Sequence, residues 1–142
     1  MIQIRFVDKK TRKETDRFVE KEWTQFDKDV GYEYEVRKHE IIAVKKDKIV
    51  GYVEYEIVGG VSRLSQLIVS KDARKEGIGS ELLAFYEKDS KGRGCHLCYL
   101  ETSENHTSAL SFYKNKGYKI IATLPKHKFR VTWYIYGKEL TK

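Results

Sequence analysis

The first sustained periodicity along the chain is helical. Phe18, Val19, Trp23 and Phe26 recur at helical spacing in a run from Thr15 to Val30, and Gly31 breaks it. Ahead of it, "MIQIRF" alternates apolar and polar residues as a short strand does. From Glu40 the period shortens to two. "EIIAVKKDKIVGYVEYEIVGG" predicts a strand, a tight turn at Lys46-Asp47 and a second strand. Gly59-Gly60 makes another turn, and "SRLSQLIV" is the third strand of this meander. Its end, Leu67-Ile68-Val69, is continuously apolar, the pattern of a strand buried on both faces.

Helical spacing then returns. Ile78, Leu82, Phe85 and Tyr86 recur at i, i+4, i+7 and i+8, with Leu83 beside them, giving one apolar face. Lys91-Gly92-Arg93-Gly94 ends that helix with positive charge and glycine. "CHLCYLET" is the next strand, so strand, helix and strand form a βαβ unit with a parallel pair. "TSALSFYKNK" is a second short helix closed by Gly117, and "YKIIATL" and "TWYIYGKEL" are two last strands around Pro125. The predicted order is β, helical segment, three-stranded meander, α, β, α, β, β, which makes an α/β (α+β) chain: a mixed sheet flanked by helices.

Composition narrows the function classes. A chain of 142 residues fits one domain, residues 1–142, around one core. With 40% hydrophobic and 35% charged residues it is globular rather than disordered. No apolar run approaches the ~20 residues of a membrane span, and the charged N-terminus is too short for a signal peptide. The expectation is a soluble cytoplasmic protein with no membrane partner. The net charge of +7 reads first as a solvated surface and second as attraction for a polyanionic small ligand. The basic residues are scattered among glutamates, which argues against nucleic acid. Cys95 and Cys98 form a C-x-x-C, but residues i and i+3 of a strand point to opposite faces, and no second cysteine pair exists for zinc. They read as reduced structural cysteines, and no metal is expected. His106 and His127 read as solvated loop residues.

The stretch "ARKEGIGSELLAFYEK" carries the chemistry. A helix N-terminus presents unpaired N–H groups and the positive end of its dipole. Gly77 and Gly79 strip the preceding turn of side chains, Ser80 adds a hydroxyl, and Arg74 and Lys75 add charge, so an anion can approach. A dinucleotide fingerprint would need a third glycine where Leu82 stands, and a P-loop would need Gly-Lys-Ser/Thr, whereas Gly79 is followed by Ser80 and Glu81.

The motif that does match is R-x-x-G-x-G, Arg74-Lys75-Glu76-Gly77-Ile78-Gly79. With the apolar strand before it, the amphipathic helix and strand after it, and "FYKNKGY" beyond, the chain resembles the GNAT family of N-acetyltransferases over about residues 41 to 120. The resemblance implies a mostly antiparallel central sheet of about six or seven strands, with a parallel β-α-β unit that binds acetyl-CoA. It implies that the turn from Arg74 through Ser80 holds the coenzyme A pyrophosphate on its backbone. The pantetheine arm would run beside Leu67, Ile68 and Val69, and Asn105 would assist. Tyr113 would be the general acid that protonates the departing thiolate. Tyr113 follows Asn105 by eight residues, one more than the family's common spacing.

The residue that deprotonates the acceptor amine is less marked. Where some family members place a glutamate, this chain has Arg63. Glu54, on the adjacent strand with Tyr52 and Glu56, is the first candidate, followed by Glu101 and Glu104. Trp23, Asp27, Asp29, Tyr32 and Tyr34 would suit a cationic acceptor, as would the loop "LPKHKFRVTW". The expected function is acetyl transfer from acetyl-CoA to a primary amine by direct attack, in a chain compatible with a homodimer. A non-catalytic acyl-CoA-binding regulator is the alternative, and a basic RNA-binding domain the third reading.

Overall fold

The computed structural model describes residues 1–141. The chain divides into two compact units, Met1–Tyr34 and Glu35–Lys142. The first holds α1 (Arg12–Val30). Asp8 Oδ1 accepts the N–H groups of Lys10 and Thr11 at 2.9 Å, turning the chain into the helix. Gly31, at φ 80°, closes it in the left-handed conformation. Trp23 and Phe26 meet edge to face, with ring centroids 5.4 Å apart. "MIQIRF" is irregular rather than a strand. Alternation meets only half of what a strand needs, because its backbone groups require a neighbouring ladder.

The second unit is a six-stranded sheet in the order β1-β2-β3-β4-β6-β5. Its elements are β1 (Arg37–Lys45), β2 (Lys48–Val58), β3 (Val61–Val69), α2 (Ile78–Gly92), β4 (Leu97–Ser103), α3 (Thr107–Asn115), β5 (Lys119–Leu124) and β6 (Trp133–Glu139). Among the described residues β3 and β4 alone pair in parallel, as the βαβ pattern requires. The β1–β2 turn places Lys46 and Asp47 at φ 48° and 62°, the two left-handed residues that match the twist of a tight hairpin.

Helix α2 covers one face of the meander. Leu82, Leu83 and Tyr86 pack with Val53, Tyr55, Ile57 and Leu64 in the core, and burying one such leucine contributes about 1.5–3 kcal/mol. The buried stripe runs Leu82, Leu83, Tyr86, Ser90, and Phe85 lies outside it at 57% exposure. Ser90 takes an inward position because its Oγ donates to Ser62 Oγ at 2.8 Å, while the Tyr86 hydroxyl donates to the Ser62 carbonyl at 2.9 Å. These bonds tie α2 to the start of β3. Cys95 and Cys98 are free and buried. Burial pushes the Cys98 thiol up to about 11, so it stays protonated and unreactive.

Gly51 shows how closely helix and sheet approach. A Cβ there would lie 2.7 Å from Leu82 Cδ1 and 3.3 Å from the Ala43 Cβ. Gly51→Ala is therefore expected to destabilise the fold by about 1–3 kcal/mol through overpacking. A denaturant titration checks this, and an unchanged midpoint would mean that α2 shifts freely on the sheet.

One irregularity in β3 organises the rest. Tyr55 pairs with Leu64 and Glu54 pairs with Gln66, so Ser65 is an extra residue without a partner. The bulge shifts the side-chain parity by one, so Leu64 and Leu67 both face α2 while Gln66 and Ile68 face the other way. The parallel ladder with β4 holds only Val61↔Leu97, Ser62↔Cys98 and Arg63↔Tyr99. Beyond Arg63 the two strands part. The apolar run Leu67-Ile68-Val69 is accordingly not buried on both faces, and Ile68 is 57% exposed.

Candidate functional site

The glycine turn follows β3 directly. The Ser70 N–H bonds the Val50 carbonyl at 2.8 Å, a short 3-10 turn spans Lys71–Ala73, and α2 begins at Ile78. Two residues of the turn are left-handed, Lys75 at φ 68° and Gly77 at φ 82°. Glycine at 77 relieves one of those positions of the strain that Lys75 carries, about 1–3 kcal/mol for a non-glycine residue. Gly77 caps α2 without a side chain. The N–H groups of Ile78, Gly79 and Ser80 begin the helix and so lack intrahelical acceptors. Gly79 has an ordinary φ, but a Cβ there would point between the Phe112 ring and Val69 Cγ2, each 3.8 Å away.

Those two side chains belong to a groove of about 490 Å³. Leu67 and Val69 form one wall, Arg74, Lys75, Gly77, Ile78, Gly79 and Ser80 the head, and Ser108, Phe112 and Tyr113 of α3 the other wall. The groove thus gathers nine of the twelve residues expected to hold coenzyme or act beside it: all of the turn except Glu76, both inward strand residues, and Tyr113. Glu76 turns away, and its carboxylate pairs with Lys45 at 2.7 Å. Arg74 folds back, its Nε donating to the Val69 carbonyl at 3.2 Å. Ile68 lies on the opposite face. Asn105 sits exposed in the turn between β4 and α3 and lines no part of the groove.

A second cavity of about 350 Å³ occupies the opening between β3 and β4. Gln66 and Ile68 enter it from β3, Glu101 and Thr102 from β4, and His106 from the head of α3. Groove and cleft share Leu67, Ala109 and Tyr113. Tyr113 therefore stands where the two spaces meet. It is 9% exposed, and burial pushes its hydroxyl up to about 12, so it carries its proton at neutral pH. The hydroxyl has no hydrogen-bond partner among the described residues, while the ring packs edge-on against Phe112 and Tyr118. Tyr113 is the more buried of the two α3 aromatics, and Phe112 is a groove wall rather than a core residue.

The carboxylates lie on the face away from α2. Glu54 is engaged on every side: Lys38 Nζ lies 2.9 Å away, Gln66 Nε2 donates at 2.8 Å and the Tyr52 hydroxyl at 3.3 Å. The Lys38 ammonium, above all, holds the Glu54 carboxyl below its usual range. Glu101 lines the cleft itself, with Lys128 Nζ 3.2 Å from Oε2. Glu104 is spent on the chain, accepting the Thr132 N–H at 3.1 Å. Trp23, Asp27, Asp29, Tyr32 and Tyr34 belong to the first unit. Sequence reasoning did not find Gln66, Thr102 or Phe112 as lining residues. Their signal is the parity of strand and helix positions, which becomes readable only once the Ser65 bulge is known.

Comparison with known proteins bears on family and fold. The family model "Acetyltransferase (GNAT) family" matches residues 7–118. An aminoalkylphosphonate N-acetyltransferase of Salmonella typhimurium is 28% identical over 87 residues, covering 57% of this chain and 56% of that protein. The chain spans about half the length of the curated relatives it matches. An acetyltransferase crystal structure from Bacillus cereus superposes with a TM-score of 0.79 at 20% identity, covering 98% of both chains. An aminoglycoside 6'-N-acetyltransferase solved with coenzyme A superposes with a TM-score of 0.66 at 25% identity, covering 74% of each chain.

Proposed function

The chain belongs to the GNAT acetyltransferase family, and from that premise we propose that it transfers the acetyl group of acetyl-CoA to a primary amine by direct attack in a ternary complex. One observation carries the reading. Tyr113 stands at the junction of a groove headed by free helix N–H groups and a cleft lined by the Glu101 carboxylate.

In this reading the pyrophosphate rests on the N–H groups of Ile78, Gly79 and Ser80, with Lys75 beside them. The pantetheine arm lies along Leu67 and Val69, where the parted edge of β3 offers backbone groups that β4 does not pair. The amine enters from the cleft. Its nitrogen attacks the thioester carbonyl carbon, the C–N bond forms and the C–S bond breaks. Sulfur leaves with the electron pair and takes the proton of the Tyr113 hydroxyl. The amine's own proton passes to a carboxylate of the cleft. Glu101 fits that role better than Glu54: it lines the cleft and has Lys128 as its one ion-pair partner, whereas Glu54 does not line it and is held by Gln66 and Tyr52 in addition to Lys38.

Release of free thiol from acetyl-CoA across a panel of amines tests the reading. Amine-dependent thiol release supports it. Tight coenzyme A binding with no release on any amine would favour the regulator, which keeps the groove and lacks the transfer.

A further inference from the structure

Around the mouth of the cleft, the β5–β6 loop and the start of β6 build a small site for a cation. Lys128 Nζ lies 3.2 Å from Glu101 Oε2 and 4.7 Å from the centroid of the Trp133 ring. A carboxylate beside an indole face is a general recognition pair for an ammonium group. The pair is built with care. The Trp133 indole N–H donates to the Lys128 carbonyl at 3.0 Å, and the His106 and His127 rings stand edge-on to Trp133 with centroids 6.4 Å away. The loop holds Lys126, Phe129 and Arg130 at φ 48°, 58° and 60°, left-handed angles that non-glycine residues rarely keep unless their surroundings impose them. Two bonds between Glu104 and Thr132 pin its far end to the turn before α3, at 2.9 and 3.1 Å.

Glu101 is also a lining residue of the cleft that leads to Tyr113. A protein side chain therefore holds the one cleft carboxylate that faces an incoming amine. Lys128 delivers its ammonium to Glu101 and Trp133 at the end of an unbranched four-carbon stem.

We propose that Lys128 is the resident stand-in for the acceptor, and that Glu101 and Trp133 receive the terminal ammonium of a linear alkylamine once Lys128 swings out. The inference rests on the acetyltransferase reading above. It adds a substrate class, unbranched aliphatic amines in preference to cyclic ones, and a competition that sets their affinity. Lys128 is a positioning residue here: it touches Glu101 and not the reacting atoms.

The test is calorimetric and does not depend on turnover. The full chain is first titrated with coenzyme A, and the complex is then titrated with 1,4-diaminobutane, n-butylamine and cyclohexylamine. Removing the competitor in Lys128→Met is expected to tighten the two linear amines by roughly tenfold, and Glu101→Gln to weaken them by a similar factor. Lys128→Arg, which keeps a cation on the site, is expected to stay near wild type. Coenzyme A affinity and melting temperature serve as the controls for folding. If Lys128 merely braces the loop, Lys128→Met weakens amine binding or leaves it unchanged, and the proposal is overturned while the acetyltransferase reading stands. Equal affinity for cyclohexylamine and n-butylamine overturns the substrate class. Failure of the wild-type chain to bind coenzyme A overturns both.

Discussion

Tyr113→Phe is expected to lower kcat by on the order of 10²-fold while leaving acetyl-CoA affinity and melting temperature unchanged. The environment of the hydroxyl makes this a clean test. The ring is buried among Phe112, Tyr118 and the groove wall, and phenylalanine keeps all of that packing. The hydroxyl has no partner among the described residues, so its removal leaves no orphaned group behind and stability should hold or rise slightly. Any loss of rate then reports chemistry alone. The pH dependence follows the same logic. The working form is the protonated one, and burial raises the hydroxyl to about 12. Activity that depends on this proton is complete below that range and is lost as the pH rises through it, later than a solvated tyrosine near 10 would allow. A Tyr113→Phe enzyme with wild-type kcat, measured where chemistry limits the rate, returns Tyr113 to a packing role.

Gly79→Val is expected to weaken coenzyme A binding by at least about 10²-fold, or roughly 2.7 kcal/mol, with only a small loss of stability. Gly79 has no left-handed φ, so valine can adopt its backbone, and a Cβ there meets Phe112 and Val69 at ordinary distances. The γ-methyls extend from there into the groove, beside the N–H groups that an anion would use. A β-branched residue in the first helical turn costs only about 0.5 kcal/mol. Gly77→Val is the informative contrast. No atom lies within 4 Å of a Cβ at 77, but φ is +82°, so the expected loss is about 1–3 kcal/mol of stability through strain. Calorimetry with coenzyme A and thermal melts of both variants separate the two effects. Undiminished affinity in Gly79→Val would remove the groove as the coenzyme site.

The turn was legible in the sequence because its requirements are local. Two glycines, flanking charge and the helical spacing of Ile78, Leu82 and Tyr86 lie within one continuous stretch, and each has a backbone reason. The βαβ order was legible for the same reason. Phe85 falls outside the buried stripe because helical spacing defines a stripe only to within one residue on either side. The polar bond between Ser90 and Ser62, invisible in a hydrophobicity pattern, decided which side turned inward. Alternation in "MIQIRF" predicts a strand, yet strand formation depends on a partner distant in sequence. Tyr113 could be named beforehand, but its place between two cavities could not, because that depends on how far β3 and β4 stay paired. The choice between Glu54 and Glu101 was also closed to sequence. Both are strand carboxylates, and only the neighbours, Lys38 and Gln66 for one and the cleft for the other, tell them apart.

The unpaired Ser65 in β3 has a consequence for how such a site can change over time. Its position is a matter of counting rather than of chemistry: no side chain at 65 needs to do anything, and the aperture opens where the tally of residues on β3 runs one ahead of β2. Substitutions anywhere along the strand can retune the walls of the opening without moving it. A single deletion would restore the register, swap Gln66 and Leu67 between faces and draw the slit shut. The site is therefore tolerant of spelling and intolerant of length, and in divergent homologues the number of residues between Arg63 and Gly77 should be held more tightly than their identities.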